Sequence, residues 1–157
     1  MSNSGIGNSI RRNAPVPMAQ CGAACALEIL SDRWTMLIIR EAFYGVMRYE
    51  DMRDDIGIPR SVLTQRLKRL TEAEVLERMP YREEGERTRY GYRLTSRGQS
   101  LGLTLLALMQ WGDEELRDGS SAIALHDKET GARLRVGLVR EGTSEIPLSS
   151  ARITPQN

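Results

Sequence analysis

The stretch from Arg60 to Thr71 carries four positive charges (Arg60, Arg66, Lys68, Arg69) and no acid. Leu63, Leu67 and Leu70 recur there at i, i+4 and i+7, the spacing of one helix face. With that face inward, Arg60, Ser61, Thr64, Gln65 and Lys68 point outward and Arg69 lies at the flank. These are the residue types that read duplex DNA. Arg takes the O6 and N7 of guanine, Gln the N6 and N7 of adenine, and Thr reaches a phosphate or a thymine methyl. An ordinary solvated helix face gives the same pattern, so a second signal is needed. From Arg87 to Arg97 there are again four positives (Arg87, Arg89, Arg93, Arg97) and no acid. A cationic hairpin beside a cationic helix can straddle a groove and its phosphates. Glu83, Glu84 and Glu86 sit in the preceding loop, which holds its tip away from a phosphate backbone. The alternative is a solubilising loop whose charges pair with one another.

Other chemistry is thinly represented. Cys21 and Cys25 stand four apart and share a face if both are helical. They read as small packing residues or as a redox or electrophile sensor. A metal site is not expected, because the only histidine, His126, lies a hundred residues away beside Asp127. His126 reads as a surface or turn residue. There is no G-x-S-x-G, no phosphate-cradling glycine loop and no H-E-x-x-H, so neither catalysis nor a cofactor is expected. A dithiol oxidoreductase is disfavoured by the lack of C-x-x-C spacing and of a βαβ setting.

The elements that must position the two cationic runs follow from periodicity. Ala24, Leu27 and Leu30 mark a first helix, and Ser31 or Asp32 offers a cap for a second. Trp34, Leu37, Ile38 and Ala42 form the second stripe, ended by Gly45. A short helix over 49–55, a turn at Gly57 and a helix from Pro59 follow. Val75–Met79 and Arg89–Leu94 read as paired strands. Thr95 or Ser96 then caps a long helix to about Arg117, and Gly119-Ser120-Ser121 reads as a linker. Short β-like runs follow at Ala122–Leu125, Arg133–Val139 and Glu145–Leu148. The expected class is mainly α with a small β-hairpin wing, a winged helix-turn-helix with a β-rich C-terminal extension. The expected division is a flexible tail at 1–20, the main domain at 21–118 and the extension at 119–157.

The 157 residues suit one domain with an appendage. The net charge is only +1, but the bases are 20 Arg against 2 Lys. Arg is the better phosphate and guanine ligand, although a GC-rich genome produces the same bias. No apolar run approaches the ~20 residues of a membrane span, and no apolar h-region follows Arg11 and Arg12. A cytoplasmic protein with reduced thiols is therefore expected.

Residues 21–117 resemble the HxlR-type winged helix-turn-helix transcriptional regulators. The resemblance rests on Cys21-Gly-Ala-Ala-Cys-Ala-Leu through Arg33-Trp-Thr and on Arg48-Tyr-Glu-Asp-Met-Arg. It continues in Gly57-Ile-Pro-Arg-Ser-Val-Leu-Thr-Gln-Arg-Leu and in Arg89-Tyr-Gly-Tyr-Arg-Leu-Thr-Ser-Arg-Gly. Gly22, Pro59 and Gly91 depart from common family residues. The resemblance implies a bacterial regulator, acting as a dimer on a palindromic operator in double-stranded DNA. A repressor is the favoured form, with an oxidant or small molecule as effector. The expected DNA-contacting set is Arg48, Arg60, Ser61, Thr64, Gln65, Lys68, Arg69, Arg87 and Arg89. A winged helix serving only protein interaction is the alternative. The dimer has separate support, because residues 101–111 are apolar on nearly every helical face and so must be buried on more than one side. Leu101, Leu105, Leu108, Met109 and Trp111 are the expected contacts with a second copy. Packing beneath the C-terminal extension is the competing reading.

Overall fold

The computed structural model describes residues 16–82, 85 and 87–155. Among these residues six α-helices and five strands run in the order α1 (Gly22–Leu30), α2 (Arg33–Phe43), α3 (Tyr49–Ile56), α4 (Arg60–Glu72), β1 (Leu76–Tyr81), β2 (Arg89–Leu94), α5 (Ser96–Gln99), α6 (Gly102–Leu116), β3 (Ile123–Asp127), β4 (Arg133–Leu134) and β5 (Ala151–Pro155). This is the expected mixed class, mainly helical with a hairpin wing.

The core is built where α2, α3 and α4 meet β1. Ile38, Ile39, Met52, Leu63, Leu67, Leu70, Val75 and Leu76 are almost wholly removed from water. Burial of one such side chain is worth about 1.5–3 kcal/mol, so this cluster fixes the relative placement of the helices. Asp32 starts α2: its Oδ1 accepts from the backbone N–H of Trp34 at 3.1 Å and of Thr35 at 3.2 Å. That satisfies two amides that the first helical turn leaves unpaired. Gly57 ends α3 in the left-handed region at φ +69°, a conformation that costs a side chain dearly, and the chain reverses directly into α4.

The wing is an antiparallel pair in which Leu76 faces Leu94 and Tyr81 faces Arg89. Tyr90, Tyr92 and Leu94 share one side of β2; Tyr92 and Leu94 pack on the core, whereas Tyr90 is exposed. A bridge between Arg48 and Gly91 ties the wing to the start of α3, and the Tyr92 N–H donates to the Met47 carbonyl at 2.8 Å.

Several sequence expectations are corrected. The final helix is two helices. Thr95 caps α5, but the Ser100 hydroxyl donates to the Arg97 carbonyl at 2.7 Å, and the Leu101 N–H turns to Gly98 instead. A local side-chain bond thus competes with the helical ladder at the break. In the extension, β4 covers only Arg133–Leu134, not the run to Val139. The third strand is Ala151–Pro155 rather than Glu145–Leu148, and it pairs with β3 opposite β4. His126 lies on β3, half-buried, with Nδ1 3.1 Å from Thr154 Oγ1, and not in a turn. Within the expected flexible tail, Met18–Gln20 form a 3-10 turn. The rest of that tail through residue 15 lies outside the described residues, as do the wing-loop acids Glu83, Glu84 and Glu86.

The extension is seated on the main body at Gly102. A Cβ there would lie 2.1 Å from the end of the Leu148 side chain and 3.1 Å from the Phe43 ring, so any larger residue would have to push Leu148 aside. Leu148 opens the short 3-10 turn before β5, which brings the extension against α2 and α6 together.

Candidate nucleic-acid interface

In the α3–turn–α4 unit the outward side of α4 is the one expected from its helical spacing. Leu63, Leu67 and Leu70 are buried, and Arg60, Ser61, Thr64, Gln65, Lys68 and Arg69 are exposed. Pro59 supplies extended backbone at the helix start (φ −60°, ψ 139°) and no capping side chain, so the first amides of α4 receive no side-chain cap. The N-terminus is instead held from below by Tyr49. Its hydroxyl donates to the Arg60 carbonyl at 2.8 Å and lies 3.0 Å from Thr64 Oγ1. Sequence reasoning missed Tyr49; its phenol eleven residues upstream gave no local cue.

The charges are distributed differently in space than along the chain. The guanidinium of Arg60 makes a two-pronged pair with Glu50, 3.1 Å on each arm. Glu50 also pairs with Arg53. Arg66 turns inward, with its Nε 2.9 Å from Asp32 Oδ2. Lys68 Nζ lies 3.8 Å from Glu72 Oε1, and Arg69 donates to the Glu28 carbonyl at the end of α1. The stretch that is acid-free in sequence is therefore ringed by acids from α2, α3 and its own last turn. Arg69 is drawn toward α1 and away from the outward face, whereas the other five named residues share that face.

The wing shows the same rule. Arg93 Nε is 2.6 Å from Glu77 Oε1 across the ladder, and Arg97 is 3.9 Å from Glu74. Arg78 stacks on Tyr90 with its guanidinium 3.8 Å from the ring centre, and Arg48 lies over Tyr81 at 5.3 Å. Arg87 and Arg89 are exposed on the loop side of β2, at the end of the wing farthest from the core.

The partial burial of Asp32 works against its ionisation, but the hydrogen bonds from Thr35 and the charge of the Arg66 guanidinium beside it outweigh it. The carboxyl is thus held below the usual aspartate range. This one residue caps α2, anchors an arginine of α4 and stays charged.

The two thiols do not share a helical face. Cys21 is the extended residue before α1 and is half-buried; Cys25 lies within α1 and is exposed. The exposure of Cys25 removes the packing role that its small side chain suggested. Of the five residues expected to meet a second copy, Leu105 is buried inside the chain at 6% exposure. Leu101 packs against the core, and Met109 lines a cavity under the extension. Leu108 and Trp111 remain outward, Trp111 at 55% exposure. The apolar surround of this helix thus serves the core, the extension and an open face, and Leu27 of α1 is exposed as well.

Among the described residues no group of three His, Cys, Asp or Glu could hold a metal ion, and no helix is long and apolar enough to cross a membrane.

Known proteins resemble this chain in sequence and in fold. The HxlR-like helix-turn-helix family matches residues 29–120, more than half of the chain. An uncharacterised HTH-type transcriptional regulator of Mycobacterium tuberculosis, Rv3095, is 39% identical over 132 residues, covering 83% of this chain and 82% of its own length. The regulator YodB of Bacillus subtilis is 29% identical over 97 residues, 61% of this chain and 85% of its own. The crystal structure of PA1607, named as a candidate transcription factor, superposes with a TM-score of 0.69 at 28% identity. It covers 87% of this chain and 95% of that one, so the likeness extends past the wing. The chain belongs to the HxlR-like helix-turn-helix family of DNA-binding transcriptional regulators.

Proposed function

We propose that the protein is a homodimeric repressor that binds a palindromic operator through α4 and the wing. The carrying observation is the outward face of α4, where Arg60, Ser61, Thr64, Gln65 and Lys68 project from a helix whose opposite side is locked by three buried leucines. That face enters the major groove. Arg60, Gln65 and Thr64 take base edges, and Lys68 and Ser61 take phosphate. Arg87, Arg89 and Arg48 lie toward the wing and supply the flanking backbone contacts. The intramolecular pairs of Arg60 and Lys68 are surface pairs, worth about 0–1 kcal/mol each, so a phosphate or guanine can replace them.

The exposed faces of α1 and α6 support the dimer. Leu27, Leu103, Leu108 and Trp111 are large, apolar and open to water, and Leu108 borders a groove with Leu30, Met36 and Leu37. A second copy that covers them sets two α4 helices about one DNA turn apart. The effector is an oxidant that meets the exposed Cys25 or the half-buried Cys21, or a small molecule.

The test is a fluorescence-anisotropy titration on the gene's own upstream DNA at two salt concentrations, with and without a thiol oxidant. Tight, salt-sensitive binding to one segment is expected. Equal affinity for that segment and for unrelated duplex overturns the operator reading, and an isotherm unmoved by oxidant removes the thiols from the regulation.

A further inference from the structure

A cavity of about 490 Å³ lies between α6 and the extension sheet, within the range typical of small-molecule sites. Its floor is apolar: Leu106 and Met109 from α6, Leu125 from β3, and Leu134 and Val136 from the β4 segment. Its polar groups are nearly all engaged. Gln110 is clamped to the backbone of Val136, accepting its N–H at 3.0 Å and donating to its carbonyl at 3.1 Å. Asp113 accepts from the Ser121 hydroxyl at 2.6 Å and pairs with Arg117 at 3.3 Å, and Glu114 pairs with Arg135. Arg133 also lines the cavity and is exposed; its backbone pairs with His126 in the ladder, but its guanidinium makes no ion pair or hydrogen bond among the described residues.

An apolar floor with both acids neutralised and one guanidinium unengaged selects a ligand with an apolar body and a single carboxylate. A guanidinium meets a carboxylate with two parallel hydrogen bonds, which fixes the orientation of the body against the floor. We propose that this cavity binds a monoanionic aromatic carboxylate about the size of a fused bicycle, with its carboxylate on Arg133. The proposal deepens the regulator reading by giving its small-molecule effector a site. α6 carries the cavity on one face and the exposed Leu108 and Trp111 on another, so a ligand here sits one helix away from the proposed dimer contact.

Calorimetry on the full, DNA-free chain tests it, so its outcome is independent of any operator. The probes are 2-naphthoate and its uncharged counterpart 2-naphthalenemethanol. Naphthoate is expected to bind, the alcohol to bind roughly tenfold more weakly, and Arg133→Gln to weaken naphthoate by roughly tenfold while leaving the alcohol unchanged. Arg133→Lys recovers part of the loss, Arg140→Gln at an exposed site outside the cavity changes nothing, and Val136→Trp, which fills the floor, abolishes binding of both probes. Circular dichroism confirms that each variant is folded. No naphthoate binding at millimolar concentration, equal binding by Arg133→Gln and the parent, or an alcohol that binds as tightly as the acid overturns the proposal.

Discussion

The outward faces of α4 and α6 are opposites. α4 buries three leucines and turns charge to solvent, and each of its cations meets an oxygen of the same chain: Glu50, Asp32, Glu72 or the Glu28 carbonyl. α6 buries Leu105 and Leu106, yet still exposes Leu103, Leu108 and Trp111. The difference lies in what water tolerates. A charged face with weak internal pairs is stable in solvent and can exchange those pairs for phosphate at little cost. An apolar face left open forfeits about 25 cal/mol for each Å² that could be covered. On these energetics the first face suits an occasional partner, and the second suits the standing partner that the proposed dimer would supply.

The contrast can be broken from the α6 side first. Trp111→Arg together with Leu108→Glu places charge on the open apolar face without touching the core. Light scattering should show the mass fall to that of one chain, and operator affinity should drop by about two orders of magnitude as the second half-site is lost. An unchanged mass removes the dimer from that face.

On the α4 side, Arg60→Ala should cost about 1–3 kcal/mol in operator binding and relax the preference at one base pair, read by titrating a set of single-substituted operators. Glu50→Gln sharpens the same point, because it loosens the pair that orients Arg60. Affinity for unrelated duplex should rise and discrimination should fall.

Asp32 joins the two regions, since it caps α2, holds Arg66 of α4 and borders the groove beside Leu108. Asp32→Asn keeps an oxygen that can cap α2, so it should lower stability by only about 0–1 kcal/mol, through loss of the charge that faces Arg66. The pH dependence has a definite sign. A carboxyl whose folded pKa is depressed contributes stability above its unfolded value of about 4 and loses it as pH falls through the folded value. Denaturant melts from pH 6 down to pH 2 should therefore show a shallower acid limb for the variant than for the parent. Parallel limbs would mean that Asp32 titrates alike folded and unfolded.

The smallest effect is expected at the wing. Arg87→Ala should weaken all duplexes by the same few-fold factor and reduce the slope of log affinity against log salt by about one. A base-specific loss there would move Arg87 from backbone holding to base reading.

Much of the fold was legible in the chain because short-range patterns encode it. Leu63, Leu67 and Leu70 announce the buried side of α4, Asp32 announces the start of α2, and Gly57 the turn between α3 and α4. The site was legible only in part. Helical spacing correctly placed Arg60, Ser61, Thr64, Gln65 and Lys68 outward. It could not show that Tyr49 holds the first turn of α4, or that Arg66 and Arg69 turn to Asp32 and the α1 carbonyl, because those partners are 11 or more residues away in sequence. The strands of the extension were misplaced for a related reason. Their sheet is small and half-exposed, so alternation is weak, and pairing between β3 and β5 across more than twenty residues sets their limits.

The sequence by itself determined the winged helix, its family and the side of α4 that faces outward, since periodicity and local capping act within a few residues of each other. Only the tertiary structure decided which charges are paired, which of the five α6 residues remain open, and that a cavity with Arg133 at its wall forms beneath the extension. Those depend on distant segments meeting, and a chain that is acid-free for twelve residues can still fold its arginines against acids.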